Sequence, residues 1–124
     1  MFNLKKIING RINVSEPLVM QVTGLSADIA AGTPVSIANG ACTAATGDVT
    51  VEYVTAAEAK KGSTSVSVLL VTRDMVFEVP AISGAKIGNK YQITADGVGS
   101  TAASNGFGAC VLEAAAEYAL VRLA

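Results

Sequence analysis

No histidine occurs in this sequence, so the side chain that most often acts as a general base near neutral pH is missing. Cys42 and Cys110 lie far apart in the chain, without the close ligand spacing of zinc sites, and we expect them to be small buried side chains. Glu52 and Glu78 are the pair to consider as converging carboxylates of the glycosidase kind, but glutamates on strands routinely face solvent. The residue types therefore predict that the protein is not an enzyme, with no catalytic residues, no metal ligands and no cofactor.

The charges are nearly balanced, with nine basic and ten acidic residues and a net charge of −1. A protein without an excess of positive charge has no long-range attraction to nucleic acid or to anionic lipid. No apolar run in the sequence approaches the roughly 18 residues of a membrane-spanning helix. The predicted partners therefore include neither nucleic acid nor a membrane.

Charged residues make up only 15% of the chain, whereas 51% of its residues are hydrophobic. The surface of a soluble domain is typically about 25–35% charged. We therefore expect part of this surface to be covered by another protein.

Short stretches in which apolar and polar residues alternate, bounded by glycine, proline, asparagine or aspartate, predict β-strands. The pair Asn39-Gly40 is typical of a two-residue hairpin turn. About seven to nine strands at this spacing predict an all-β, mainly antiparallel fold, either a small β-sandwich or a β-barrel. The alternating segments lie at 18–22, 35–44, 49–53, 65–71, 75–80 and 90–94.

Three segments fit the strand pattern less well. Thr55 and Glu58 form a capping box, followed by a terminating Gly62, and predict at most one short helix. Residues 111–124 have the composition of a helix. Residues 97–108 are rich in glycine, serine, alanine and asparagine, which predicts an exposed loop.

Residues 1–17 are expected to form an N-terminal arm that precedes a single β-domain over 18–124. Exposed apolar side chains are unfavourable in a solitary protein, so the mixture of apolar and basic side chains in the arm favours contact with a partner. The alternatives are a frayed terminus and an edge strand of the domain's own sheet. The candidate contact residues are Phe2, Leu4, Lys5, Lys6, Ile7, Ile8 and Arg11.

Three further segments carry a resemblance to a known family. Residues 71–80 resemble a strand of that family that ends in proline, although Met75 stands where the family often has glycine. Residues 87–94 are similar to a turn and strand of the family, and residues 106–123 to its closing hairpin. With their spacers these segments cover roughly 31–124, and this part of the chain resembles the capsid cement or head decoration proteins of bacteriophages.

The resemblance implies that the C-terminal segment forms two strands, at about 107–113 and 118–123, rather than the helix that its composition favours. It also implies a structural virion protein, made in the host cytoplasm, that binds the outer surface of an assembled capsid and clamps neighbouring major capsid subunits. The implied partners are the major capsid protein and further copies of the chain in a homotrimer, and the candidate contact residues of the arm would touch either.

A binding module, such as a host-surface or carbohydrate adhesin on a β-sandwich, is the alternative function. An adhesin of this kind is expected to expose a cluster of aromatic rings. Burial of Phe77, Tyr53 and Tyr91 together would therefore count against this alternative.

Overall fold

The computed structural model describes residues 2–7, 17–104 and 107–123, and these form an all-β fold of two antiparallel sheets in a sandwich-like arrangement. The prediction of an all-β fold is confirmed, and the sheets do not close into a barrel. The strands are β1 (Asn3–Ile7), β2 (Leu18–Gln21), β3 (Pro34–Ala38), β4 (Ala41–Ala44), β5 (Tyr53–Thr55), β6 (Ser65–Leu70), β7 (Met75–Pro80), β8 (Lys90–Thr94), β9 (Gly97–Ala102), β10 (Ala109–Ala114) and β11 (Tyr118–Arg122).

One sheet has five strands, in the order β2-β6-β5-β3-β4, and all of them come from residues 18–70. The β3–β4 hairpin turns at Asn39 and Gly40, as the sequence predicts, with φ angles of 53° and 79°. Positive φ at both turn residues is the geometry that matches the twist of a two-residue hairpin, and asparagine and glycine tolerate it best.

The other sheet has six strands, in the order β1-β7-β11-β10-β8-β9. β7 lies between the first and the last strand of the chain, since β1 pairs with one of its edges and β11 with the other. Pro80 is the last residue of β7, where a missing backbone donor does least harm to the ladder.

The interior consists of two clusters of buried hydrophobic side chains. The first lies on the six-stranded sheet and centres on Phe77, Ile93, Val111 and Val121. The second lies on one face of the five-stranded sheet and consists of Val22, Leu25, Ile29, Val35, Cys42, Ala59, Val66 and Val68. β5 touches both clusters, because Val54 belongs to the first and Tyr53 packs against the second.

The structure has no helix at the predicted capping box. Thr55 instead ends β5, and its hydroxyl accepts a hydrogen bond from the Thr33 amide (2.9 Å) and donates one to the Ala30 carbonyl (2.7 Å). The segment that follows crosses to an isolated bridge between Ala59 and Ile29. The helix prediction is wrong because the side chain that would have capped the helix bonds the turn over residues 30–33 instead.

The C-terminal segment forms the hairpin β10–β11, which confirms the two strands implied by the resemblance and contradicts the helical composition. Val111, Ala119 and Val121 alternate into the first cluster, so burial outweighs the helical propensity of alanine. The loop predicted over 97–108 is also wrong in part, because residues 97–102 form β9, an edge strand paired with β8.

Candidate contact surface

The second cluster is covered along only part of the sheet face on which it lies. Val68 and Val35 are fully buried there, beneath Leu25, Ile29 and Ala59 from the connecting segments. Side chains two residues apart on a strand point to the same face. The same face therefore continues past the cover, at the end of the sheet where β2 begins and β6 ends.

Four side chains at this end remain exposed or half-buried, and we name them the apolar patch: Leu18, Ile37, Tyr53 and Leu70. Leu70 lies opposite Tyr53 in the register and is 50% exposed. Leu18 lies opposite Val68, one diagonal step from Leu70, and is 48% exposed. Ile37 lies two residues after Val35 on β3, on the same face of the sheet, and is half-buried against the second cluster. The patch is thus an open continuation of a hydrophobic core.

A cleft of about 230 Å³ opens beside Tyr53 and Ile37. β3 and β5 are paired only as far as Val35 and Tyr53. Beyond that point this segment no longer pairs with β3, although the Val71 amide still donates to the Glu52 carbonyl (2.9 Å), and Val51 is buried in the first cluster. The remaining lining residues include the polar side chains of Ser36, Thr50 and Glu52, so the apolar patch has a polar rim on this side.

The candidate contact residues near the N-terminus lie against the domain as far as the structure describes them. Phe2 is 3% exposed, its amide donates to the Gly32 carbonyl (2.8 Å), and its ring meets Phe77 edge-on at 6.2 Å. Leu4 is half-buried against the first cluster. The edge-strand alternative therefore describes residues 3–7.

Lys5, Lys6 and Ile7 belong to β1, whose pairing with β7 is interrupted by a register shift between Leu4 and Lys6. Ile8 and Arg11 lie outside the described residues. The separation of residues 1–17 from a domain over 18–124, and the contact of these residues with a capsid or a second protomer, stay predictions.

The two glutamates considered as a catalytic pair are not brought to one pocket. Glu52 lines the cleft of the five-stranded sheet, whereas Glu78 lies on β7 of the other sheet and lines a different depression with Glu117 and Tyr118. Within the described ranges no group of three or more potential metal ligands occurs. The same residues contain no helix that is long and apolar enough to cross a membrane.

The aromatic side chains named for the adhesin alternative do not form an exposed cluster. Phe77 and Tyr91 are buried in the first cluster, and Tyr53 is half-buried at the cleft. Tyr53 is thus the one ring of these three that belongs to the apolar patch.

Among the titratable groups that the structure describes, three have perturbed pKa values, and all three lie outside the apolar patch. Burial raises the pKa of the Cys42 thiol. A hydrogen bond from the Tyr118 hydroxyl to Glu113 (2.5 Å) raises the pKa of Tyr118. The nearby carboxylate of Glu58, 3.0 Å from the amine of Lys60, raises the pKa of that lysine.

The sequence does not predict the apolar patch, because Leu18 and Leu70 continue the alternation of buried residues on their strands. The alternation of apolar and polar residues shows which side chains share a face of the sheet. It does not show how far along that face other segments cover them. The only signal in the sequence is the absence of charge between Pro17 and Ala27. Compared with protein-family models and with curated proteins, the chain matches none.

Proposed function

We propose that this protein is a structural virion protein that binds the outer surface of an assembled phage capsid and clamps neighbouring major capsid subunits. The observation that carries the proposal is the apolar patch, because an open extension of a hydrophobic core is typical of a surface that another protein covers. The low content of charged residues supports a covered surface. The resemblance of residues 31–124 supports a capsid as the partner.

Attachment of this kind needs burial rather than chemistry. A contact of about 800 Å² per partner at about 25 cal/mol/Å² contributes roughly 20 kcal/mol before losses. Association itself costs about 4–15 kcal/mol, so one copy binds with modest net affinity. A closed oligomer, such as the homotrimer that the resemblance implies, strengthens attachment by joining several contacts.

Co-sedimentation with capsids assembled without this protein tests the proposal. We expect the unmodified protein to sediment with expanded capsids at micromolar concentration. Leu70→Glu places a charge in the apolar patch and should reduce binding about tenfold, since about 1.4 kcal/mol suffices for that change. Ile87→Glu is the matched control, because Ile87 is an exposed aliphatic residue (69%) outside the patch and its replacement should leave binding unchanged. If the unmodified protein stays in the supernatant, the proposal fails.

The lysines of β1 are proposed as a second contact with the capsid or with another protomer. Reversing both charges, Lys5→Glu with Lys6→Glu, should lower capsid occupancy while leaving the fold intact. The matched control reverses Lys60 and Lys61, an adjacent pair that is exposed elsewhere. Equal occupancy for the two double variants would remove β1 from the contact.

The adhesin alternative has one observation in its favour, the cleft in which Tyr53 lies beside Thr50 and Glu52. An aromatic face next to a hydroxyl and a carboxylate is a plausible sugar-binding combination. Binding to immobilised glycans that Tyr53→Ala abolishes, together with no binding to capsids, would favour this function.

A further inference from the structure

Edge strands expose unpaired peptide groups, and proteins usually protect them with charges, bulges or short length. β1 carries Lys5 and Lys6 and a register shift. β9 begins with glycine, and its pairing with β8 is interrupted by a register shift between Tyr91 and Ile93. β4 is a short strand of small residues. β2 is as short as β4, and both strands pair regularly and carry no charge, but β2 differs in exposing the large apolar side chains of Leu18 and Val19.

The peptide groups of β2 point alternately towards β6 and away from it. The amide of Val22 donates to the Thr64 carbonyl beyond the end of β6 (2.9 Å), so residue 22 faces β6. The amide of Thr23 points the other way and donates to the Gly40 carbonyl (2.8 Å). By alternation, the peptide groups of Val19 and Gln21 point outward. Among the described residues no strand pairs with this outer edge.

We propose that the outer edge of β2 pairs antiparallel with β2 of a second copy of this chain, about a twofold axis at Val19. In this register the amide of each Val19 donates to the carbonyl of Val19 in the other copy. The amide of each Gln21 donates to the carbonyl of Pro17 in the other copy. Pro17 has no amide hydrogen, so its position at the end of the pairing leaves no donor unsatisfied.

The neighbouring structure selects this register over the next one. A twofold axis at Met20 would place Pro17 of the second copy opposite Thr23. Gly40 already occupies that place, since its carbonyl accepts from the Thr23 amide. With the axis at Val19, Pro17 of the second copy lies opposite Gln21 instead, two residues before the contact of Thr23 with Gly40.

The side chains of β2 suit a second copy as partner. Val19 is 69% exposed and would lie beside the Val19 of the other copy, while Leu18 would lie opposite Met20. No charged residue occurs from Pro17 to Ala27, so two copies of this edge do not repel one another. The pairing joins the five-stranded sheets of two copies. Leu18 also belongs to the apolar patch, but the pairing is made by backbone groups and can be tested without capsids; in a trimer it would link one trimer to another.

Sedimentation equilibrium and hydrogen exchange of the full chain test the proposal. A strand pair this short buries far less than the usual area of about 800 Å² per partner, so we expect a doubling of mass only as the concentration rises. Val19→Lys should abolish the doubling, because two lysines would face each other across the axis. Thr101→Lys, on the exposed part of β9, is the matched control and should retain it.

Exchange at the amides of Val19 and Gln21 gives a second readout. Their exchange should slow as the doubled species forms, and Val19→Lys should remove that slowing at Gln21. Three results would overturn the proposal: no doubling at about millimolar concentration, where even weak protein pairs associate, doubling that persists in Val19→Lys, or protection of both amides in the dilute monomer. The last result would mean that another segment of the same chain covers the edge.

Discussion

The hydroxyl of Thr55 joins β5 to the turn over residues 30–33. It accepts from the Thr33 amide, donates to the Ala30 carbonyl and belongs to a side chain that is 2% exposed. A buried amide that loses its acceptor costs more than the bond itself was worth, because water cannot replace the acceptor. Thr55 therefore contributes to stability chiefly by satisfying Thr33.

We predict that Thr55→Val lowers the free energy of unfolding by about 1–3 kcal/mol, since it leaves the Thr33 amide without an acceptor. Urea unfolding followed by circular dichroism measures the change. Thr43→Val is the control, because Thr43 is exposed on β4 and the same replacement there should change little. Equal effects of the two variants would show that the Thr55 hydroxyl contributes no more than an exposed one.

The buried thiol of Cys42 makes stability depend on pH in the alkaline range. Because burial raises its pKa in the fold above the ordinary value of 9.0, the uncharged thiol is favoured by the folded state. The stabilisation is fully present below the pKa of the unfolded thiol and is lost as pH rises through the folded pKa. We predict a decline in unfolding free energy above pH 9 that is smaller in Cys42→Ala, measured by urea unfolding at stepped pH. An identical decline in both proteins would contradict this.

At the scale of the strand, β1 depends on the ring that precedes it. Phe2 packs edge-on against Phe77 of β7, to which β1 is also hydrogen-bonded. Removing the first residues would therefore remove part of the fold together with any contact surface. For this reason charge reversal at Lys5 and Lys6 is a cleaner test of attachment than deletion.

We predict that Phe2→Ala destabilises the protein by about 3 kcal/mol, the lower end of the range for a buried phenylalanine, because an edge strand can relax around the loss. Thermal unfolding measures the effect. Phe107→Ala, at an exposed ring, serves as the control and should shift the midpoint little. An unchanged unfolding midpoint in Phe2→Ala would show that the packing of Phe2 against Phe77 does not stabilise the protein.

The sequence predicts the strands correctly where turn residues and the alternation of apolar and polar residues indicate the same structure as burial in the fold. The turn at Asn39 and Gly40 requires particular backbone angles, and the sequence supplies the residues that adopt them. The composition of β10–β11 pointed to a helix, because propensity takes no account of which side chains reach the core. The small residues of β9 give no strand signal and predict a loop. Pairing with β8 nevertheless makes them a strand. These errors share one cause, since each outcome depends on contacts with distant parts of the chain.

At the scale of the molecule, two hydrophobic clusters share one strand. Val54 and Tyr53 are neighbours on β5, yet one packs into the first cluster and the other against the second. A loss of packing in either cluster should therefore reach the other through β5. The two sheets are expected to unfold together.

We predict that Val68→Ala in the second cluster and Val111→Ala in the first each cost about 2 kcal/mol, from lost burial and the remaining cavity. Each variant should shift one common unfolding transition. Circular dichroism and tyrosine fluorescence should report the same midpoint in each variant. Two separate transitions, with each variant moving only one of them, would show that the sheets unfold independently.

The low content of charged residues predicts that another protein covers part of the surface, and this stays a prediction. The position of the patch could not be predicted. It depends on the register that sets Leu70 beside Tyr53 and on how far Leu25 and Ile29 extend over the sheet. Both are set by pairing between segments that are distant in sequence.

The order of strands along the chain has a consequence for synthesis on the ribosome. The five-stranded sheet is complete once residue 70 has emerged, whereas β1 must wait for β7, which begins at Met75. At 5–20 residues per second, translation from the end of β1 to the start of β7 takes about 3–14 seconds. During that interval the nascent chain carries Phe2 without the ring against which it packs, so the first strand made stays unpaired until the whole five-stranded sheet has been synthesised.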